Sequence, residues 1–110
     1  MKPDQELIDE IVEKIVEAVQ PLRIILFGSA ARGEMGPNSD LDFLVVMPDG
    51  THRWRTADIL CMKLMDASKP VDIVVTTESS LRELKDNWSL VYYPALREGR
   101  EIYATALRNT

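Results

Sequence analysis

Apolar positions recur at Leu7, Ile8, Ile11, Val12, Ile15, Val16 and Val19. This i, i+3, i+4, i+7 spacing predicts one amphipathic helix from about Asp4 to Gln20, stopped by Pro21. Its opposite face carries Asp9, Glu10, Glu13, Lys14 and Glu17, as a solvated face does. The pattern then shortens. Arg23 to Phe27 reads as a buried strand ended by Gly28, and Leu41 to Met47 as a second, ended by Pro48-Asp49-Gly50. Val71 to Val75 reads as a third strand, just after Pro70.

Helical patterns lie between and after these strands. Ser29 suits the N-cap of a helix opening after the first strand, and Gly33 to Ser39 is rich in turn formers. Trp54, Ala57, Cys61, Leu64 and Met65 mark a helix from about Trp54 to Ala67, with Cys61 expected in the core. Thr77 or Ser79 can cap a short helix running to Leu84-Lys85. Leu90 to Glu98 has a helical pattern interrupted by Pro94, Gly99 suits its end, and Glu101-Ile102-Tyr103 offers a short edge strand. Strands alternating with helices predict one α/β layered domain spanning residues 1–110.

Composition narrows the function classes. At 110 residues and 45% hydrophobic, the chain supplies one core and little more. No apolar run approaches the roughly 20 residues needed to span a bilayer. The opening Met1-Lys2-Pro3-Asp4-Gln5-Glu6 does not read as a leader. One cysteine, Cys61, can form no internal disulfide and no cysteine-based zinc site, which fits a soluble protein of the reducing cytoplasm. A net charge of -5 argues against a long nucleic acid as ligand, since such ligands call for a basic face. His52-Arg53-Trp54-Arg55 is the densest basic segment, and its histidine reads as a surface residue.

Three carboxylates change the picture. Asp40 and Asp42 stand two apart at the head of a strand, so both side chains point to one face with Cα atoms roughly 6–7 Å apart. Asp72 sits inside a different apolar strand, where an unpaired charge is costly to bury. Brought together on one sheet, the three would repel each other, and a divalent cation relieves that conflict. Oxygen-only ligation favours Mg²⁺ or Mn²⁺. Gly28 permits close backbone approach, while Ser29 and the following helix start can hold a phosphate. Arg32, one turn on, can pair with the same phosphates. Singly, each fragment is common in structural roles. The ordered set is demanding: strand, Gly-Ser, ten intervening residues, Asp-x-Asp entering a second strand, and an aspartate inside a third.

Gly28-Ser29-Ala30-Ala31-Arg32-Gly33 through Ser39-Asp40-Leu41-Asp42, with Val71-Asp72-Ile73-Val74, resembles the signature of the polymerase-beta-like nucleotidyltransferases. It looks most like the minimal nucleotidyltransferases, small prokaryotic proteins often found as antitoxin partners of HEPN-domain toxins. No motif position departs from the pattern. The resemblance implies a small mixed sheet with flanking helices, an α+β nucleotidyltransferase fold. It implies two Mg²⁺ ions (or Mn²⁺) on Asp40, Asp42 and Asp72, and ATP or another nucleoside triphosphate held by Gly28, Ser29 and Arg32. Asp72 would also orient or deprotonate the acceptor. With so little chain after Val75, a partner protein is expected to contribute the acceptor: a HEPN-type toxin receiving AMP on a hydroxyl. Two alternatives stand beside it. One is an antitoxin acting by contact alone; the other is a homodimeric enzyme that modifies a small molecule such as an aminoglycoside.

Overall fold

A computed structural model describes residues 3–28, 41–67, 70–84 and 99–105. Helix α1 (Pro3–Val19) leads into strand β1 (Arg23–Phe27), and β2 (Leu41–Met47) precedes helix α2 (Arg53–Lys63). Strand β3 (Val71–Thr77), the short helix α3 (Glu78–Leu84) and strand β4 (Arg100–Ala104) follow. The four strands form one sheet in the order β3-β2-β1-β4. β1 pairs antiparallel with β2 and with β4, whereas β2 and β3 run parallel. A parallel pair needs a crossover connection, and α2 supplies it. The mixed sheet with flanking helices is the expected α+β arrangement.

Alternation along each strand divides the apolar residues between two faces. Ile24, Leu26, Leu41, Phe43, Val45 and Val75 join Ile8, Ile11 and Ile15 of α1 and Leu60 and Leu64 of α2 in the main core. The other face carries a smaller cluster, Ile25, Leu44, Val46 and Leu81, with Phe27 and Val74 packed against it. β2 is buried on both faces over Phe43–Met47, which is why its sequence reads as a continuous apolar run.

Local chemistry sets the boundaries. Gln20 takes a positive φ of 51° and donates its N–H to the Val16 carbonyl at 3.0 Å, closing α1 just before Pro21. His52 is exposed as expected, and it has a structural task that sequence reading missed. Its Nδ1 accepts the Arg55 N–H at 3.2 Å, capping α2. Thr77 caps α3 as expected, its Oγ1 accepting the Ser80 N–H at 3.4 Å. Asp49, from the turn after β2, accepts the Ser79 N–H at 2.9 Å and so ties that turn to α3. Arg23 fastens β1 to its neighbours through Glu101 at 2.8 Å and Glu78 of α3 at 3.9 Å.

Helix α2 departs from expectation. It is shorter, ending at Lys63, and it turns Thr56 and Leu60 inward. Cys61 is exposed, not buried in the core. Trp54 and Met65, expected on the apolar face, are 78% and 81% exposed. Thr56 is tolerable inside because its hydroxyl donates to the His52 carbonyl at 3.0 Å. The expected helices after Gly28 and over Leu90–Glu98 lie outside the described residues. Strand β4 confirms and lengthens the predicted edge strand, with Tyr103 packed against the main core.

The Asp49 carboxyl is held below its ordinary value near 3.8, chiefly by the Ser79 backbone N–H and then by the Ser79 hydroxyl. It therefore releases its proton more readily folded than unfolded, so its contribution to stability is present above that ordinary value and lost as acid titrates the folded group. Urea unfolding across pH 5 to 2 is expected to show stability falling with pH, and Asp49→Asn to flatten that fall.

Candidate active site

The sheet places two of the three predicted carboxylates side by side. In the parallel β2–β3 ladder Asp42 is the register partner of Asp72. Neighbouring strands lie about 4.8 Å apart and register partners share a face, so both carboxylates project from the same side of the sheet. Phe27 stands opposite Asp42 on β1, and the three form one row across the strands. This is the face of the smaller apolar cluster. Ile25, Leu44 and Val74 form the next row along, beneath Leu81 of α3. An apolar floor thus ends where the carboxylates begin. Asp42 is half-buried and Asp72 exposed, as suits a site that must admit a charged substrate.

Gly28 follows β1 with φ of 73°, a left-handed conformation that glycine adopts without strain. A Cβ at this position would collide with Asp42 Oδ2 and lie 3.3 Å from its Cγ. The absence of a side chain therefore lets the backbone after β1 pass directly against the Asp42 carboxylate. Asp42 thus stands between the Gly28 backbone, just past the end of β1, and Asp72 on β3. Ser29, Arg32 and Asp40 lie outside the described residues. Phe27 went unremarked as a neighbour of the site; only its alternation with Ile25 could have signalled it.

The donor chemistry here suits a hard divalent cation. Two carboxylates of one face stand in adjacent strands, with a third, Asp40, two residues before Asp42 in the sequence. Among the described residues alone, no cluster of three potential ligands occurs.

Comparisons with known proteins show the family and the fold. The family model described as "Nucleotidyltransferase domain" matches residues 8–103. The chain belongs to the nucleotidyltransferase domain family. A Methanocaldococcus jannaschii protein named "Putative protein adenylyltransferase MJ0604" is 37% identical over 81 residues, covering 74% of this chain and 77% of that protein. Among solved structures, the tri-AMPylated Shewanella oneidensis HEPN toxin in complex with MNT antitoxin matches with a TM-score of 0.55. Identity is 20%, over 96% of this chain and 76% of that one. Spectinomycin adenyltransferase AAD(9) from Enterococcus faecialis, with ATP and spectinomycin, matches with a TM-score of 0.62 and 20% identity. There the match covers 94% of this chain but 56% of the other. These structural likenesses establish the nucleotidyltransferase fold, and the resemblance read from the motif is borne out at the level of the family. No helix among the described residues is long and apolar enough to cross a membrane.

Replacing Gly28 by Ala tests the close approach. The left-handed backbone costs about 1–2 kcal/mol for a residue with a Cβ. Displacing Asp42 by an ångström is expected to cost about 100-fold in nucleotidyl transfer. The paired measurement is an unfolding midpoint and a transfer rate: modest loss in the first, severe loss in the second. Transfer at the wild-type rate would mean that Asp42 has no fixed place in the reaction.

Proposed function

We propose that this nucleotidyltransferase moves AMP from ATP onto a hydroxyl of a partner protein, as the antitoxin of a HEPN-type toxin. The observation that carries the reading is the register pairing of Asp42 with Asp72, with the Gly28 backbone against Asp42. The 37% identical relative named as a protein adenylyltransferase supports a protein acceptor. The likeness to a HEPN toxin–MNT antitoxin complex supports the kind of partner.

In this reading Asp40, Asp42 and Asp72 hold two Mg²⁺ ions, or Mn²⁺ in their place. Such ions neutralise charge on the attacking and leaving oxygens of an in-line displacement. Gly28 and Ser29 cradle the β- and γ-phosphates through backbone N–H groups and the serine hydroxyl, and Arg32 pairs with the same phosphates. Asp72, on an edge strand and exposed, faces the incoming hydroxyl and accepts its proton. The acceptor oxygen bonds to the α-phosphorus, the bond from that phosphorus to the bridging oxygen breaks, and pyrophosphate leaves.

Label transfer from α-labelled ATP in the presence of Mg²⁺ and the HEPN-domain protein of the same cell tests this. The expected outcome is a labelled protein band that Asp42→Asn abolishes. No labelled protein, with ATP still bound, would redirect the reading to a small-molecule acceptor such as the one in the AAD(9) structure. Inhibition of the toxin that survives Asp42→Asn unchanged would instead make this chain a contact-only antitoxin.

A further inference from the structure

The outer side of β3 carries a surface that the reaction site does not use. Helix α2 spends its inner face on Thr56, Leu60 and Leu64, leaving Trp54, Cys61 and Met65 exposed. Trp54 and Cys61, seven residues apart, lie along one stripe of the helix, and Met65 follows in the turn just past its end at Lys63. Two grooves run between that stripe and β3. One, of about 450 Å³, is lined by Cys61, Leu64, Met65, Pro70, Val71 and Ile73 among others. The second, of about 270 Å³, is lined by Arg53, Trp54, Ala57, Ile73, Val74 and Val75. Ile73 borders both, so they lie end to end as a trough along β3, an edge strand of the described sheet.

The trough and Asp72 share the same edge strand, on opposite faces of it. Asp72 lies between Val71 and Ile73, whose side chains line the trough while Asp72 projects from the opposite face of the same strand. A body seated here rests against the edge over which Asp72 is reached. The charge of the trough selects that body. In a chain of net charge -5, Arg53 lines the trough beside Trp54 and the exposed Arg55 follows it in the chain, and neither has an ion pair among the described residues. Tryptophan and arginine are the side chains that anchor protein interfaces, and exposed methionine adapts to varied apolar shapes. A second copy meeting this face across a two-fold axis would bring the same arginines to the same trough. An acidic partner surface satisfies them.

We propose that the α2–β3 trough is the docking surface for the acceptor protein. That protein presents apolar side chains to Trp54, Cys61 and Met65 and carboxylates to Arg53 and Arg55. So docked, it brings its hydroxyl over the β3 edge to Asp72. This rests on the protein-acceptor reading above.

The test is steady-state transfer of AMP to the HEPN-domain protein of the same cell, comparing the wild type with Met65→Glu and with Arg53→Glu/Arg55→Glu. Unfolding midpoints and ATP affinity are measured for each variant. The expected result is a KM for the acceptor raised at least 10-fold, with ATP affinity and kcat at saturating acceptor unchanged. Hydrogen exchange in the complex should slow across residues 53–65 and 71–75. Wild-type KM in both variants, or protection confined to other elements, would overturn the proposal. So would variants that split a self-dimer while leaving transfer intact. If the wild type itself transfers nothing to protein while binding ATP, the acceptor reading falls and the docking proposal with it. That outcome is distinct from an active wild type matched by active variants.

Discussion

The parallel pairing of β2 with β3 is the constraint on which the rest depends. Asp42 and Asp72 are thirty positions apart in the chain, and only the register of this ladder makes them neighbours. A slip of one residue would send Asp72 to the main core and Ile73 to the site, because side chains alternate between faces. The register resists such a slip because both sides of it are apolar. Val71, Ile73 and Val75 pack on the main core, and Val74 joins the smaller cluster on the other face. Core packing on one face thereby fixes carboxylate placement on the other.

The two faces divide the labour. The face under α1 and α2 is continuous and well covered. The opposite face is apolar only as far as the row of Ile25, Leu44 and Val74, where Leu81 packs against it. Beyond that row stand Phe27, Asp42 and Asp72. Asp49 fastens the start of α3 at Ser79, and Arg23 reaches Glu78 on the same helix. The covering of this face is thus held at one end of the sheet, leaving the carboxylates accessible at the other.

Much of this was legible in the sequence because it is local. The bounds of β1 and β2 follow from short apolar runs ended by Gly28 and by Pro48-Asp49-Gly50, and α1 from an uninterrupted helical stripe. The Asp-x-Asp pair at a strand head and an aspartate within an apolar strand marked Asp42 and Asp72 as candidate site residues. Their direct pairing was not legible, because register is settled by distant residues meeting. Helix α2 misled for a related reason. It buries a narrow stripe through Thr56 and Leu60 and ends at Lys63, so Trp54 and Cys61 face outward and Met65 falls in the turn beyond it. Periodicity cannot separate a stripe that meets the core from one left outside it. The use of Thr56 as an inner residue depends on a hydrogen bond to His52 that composition does not reveal.

The most direct measurement of the central claim is a crystal structure with Mn²⁺ and a non-hydrolysable ATP analogue, the ions located by anomalous scattering. The account predicts two ions about 3.5–4 Å apart, ligated by Asp42 and Asp72 from adjacent strands, with the triphosphate against the Gly28 peptide. Ions bound away from this pair, or a nucleotide seated on another face of the sheet, would contradict it.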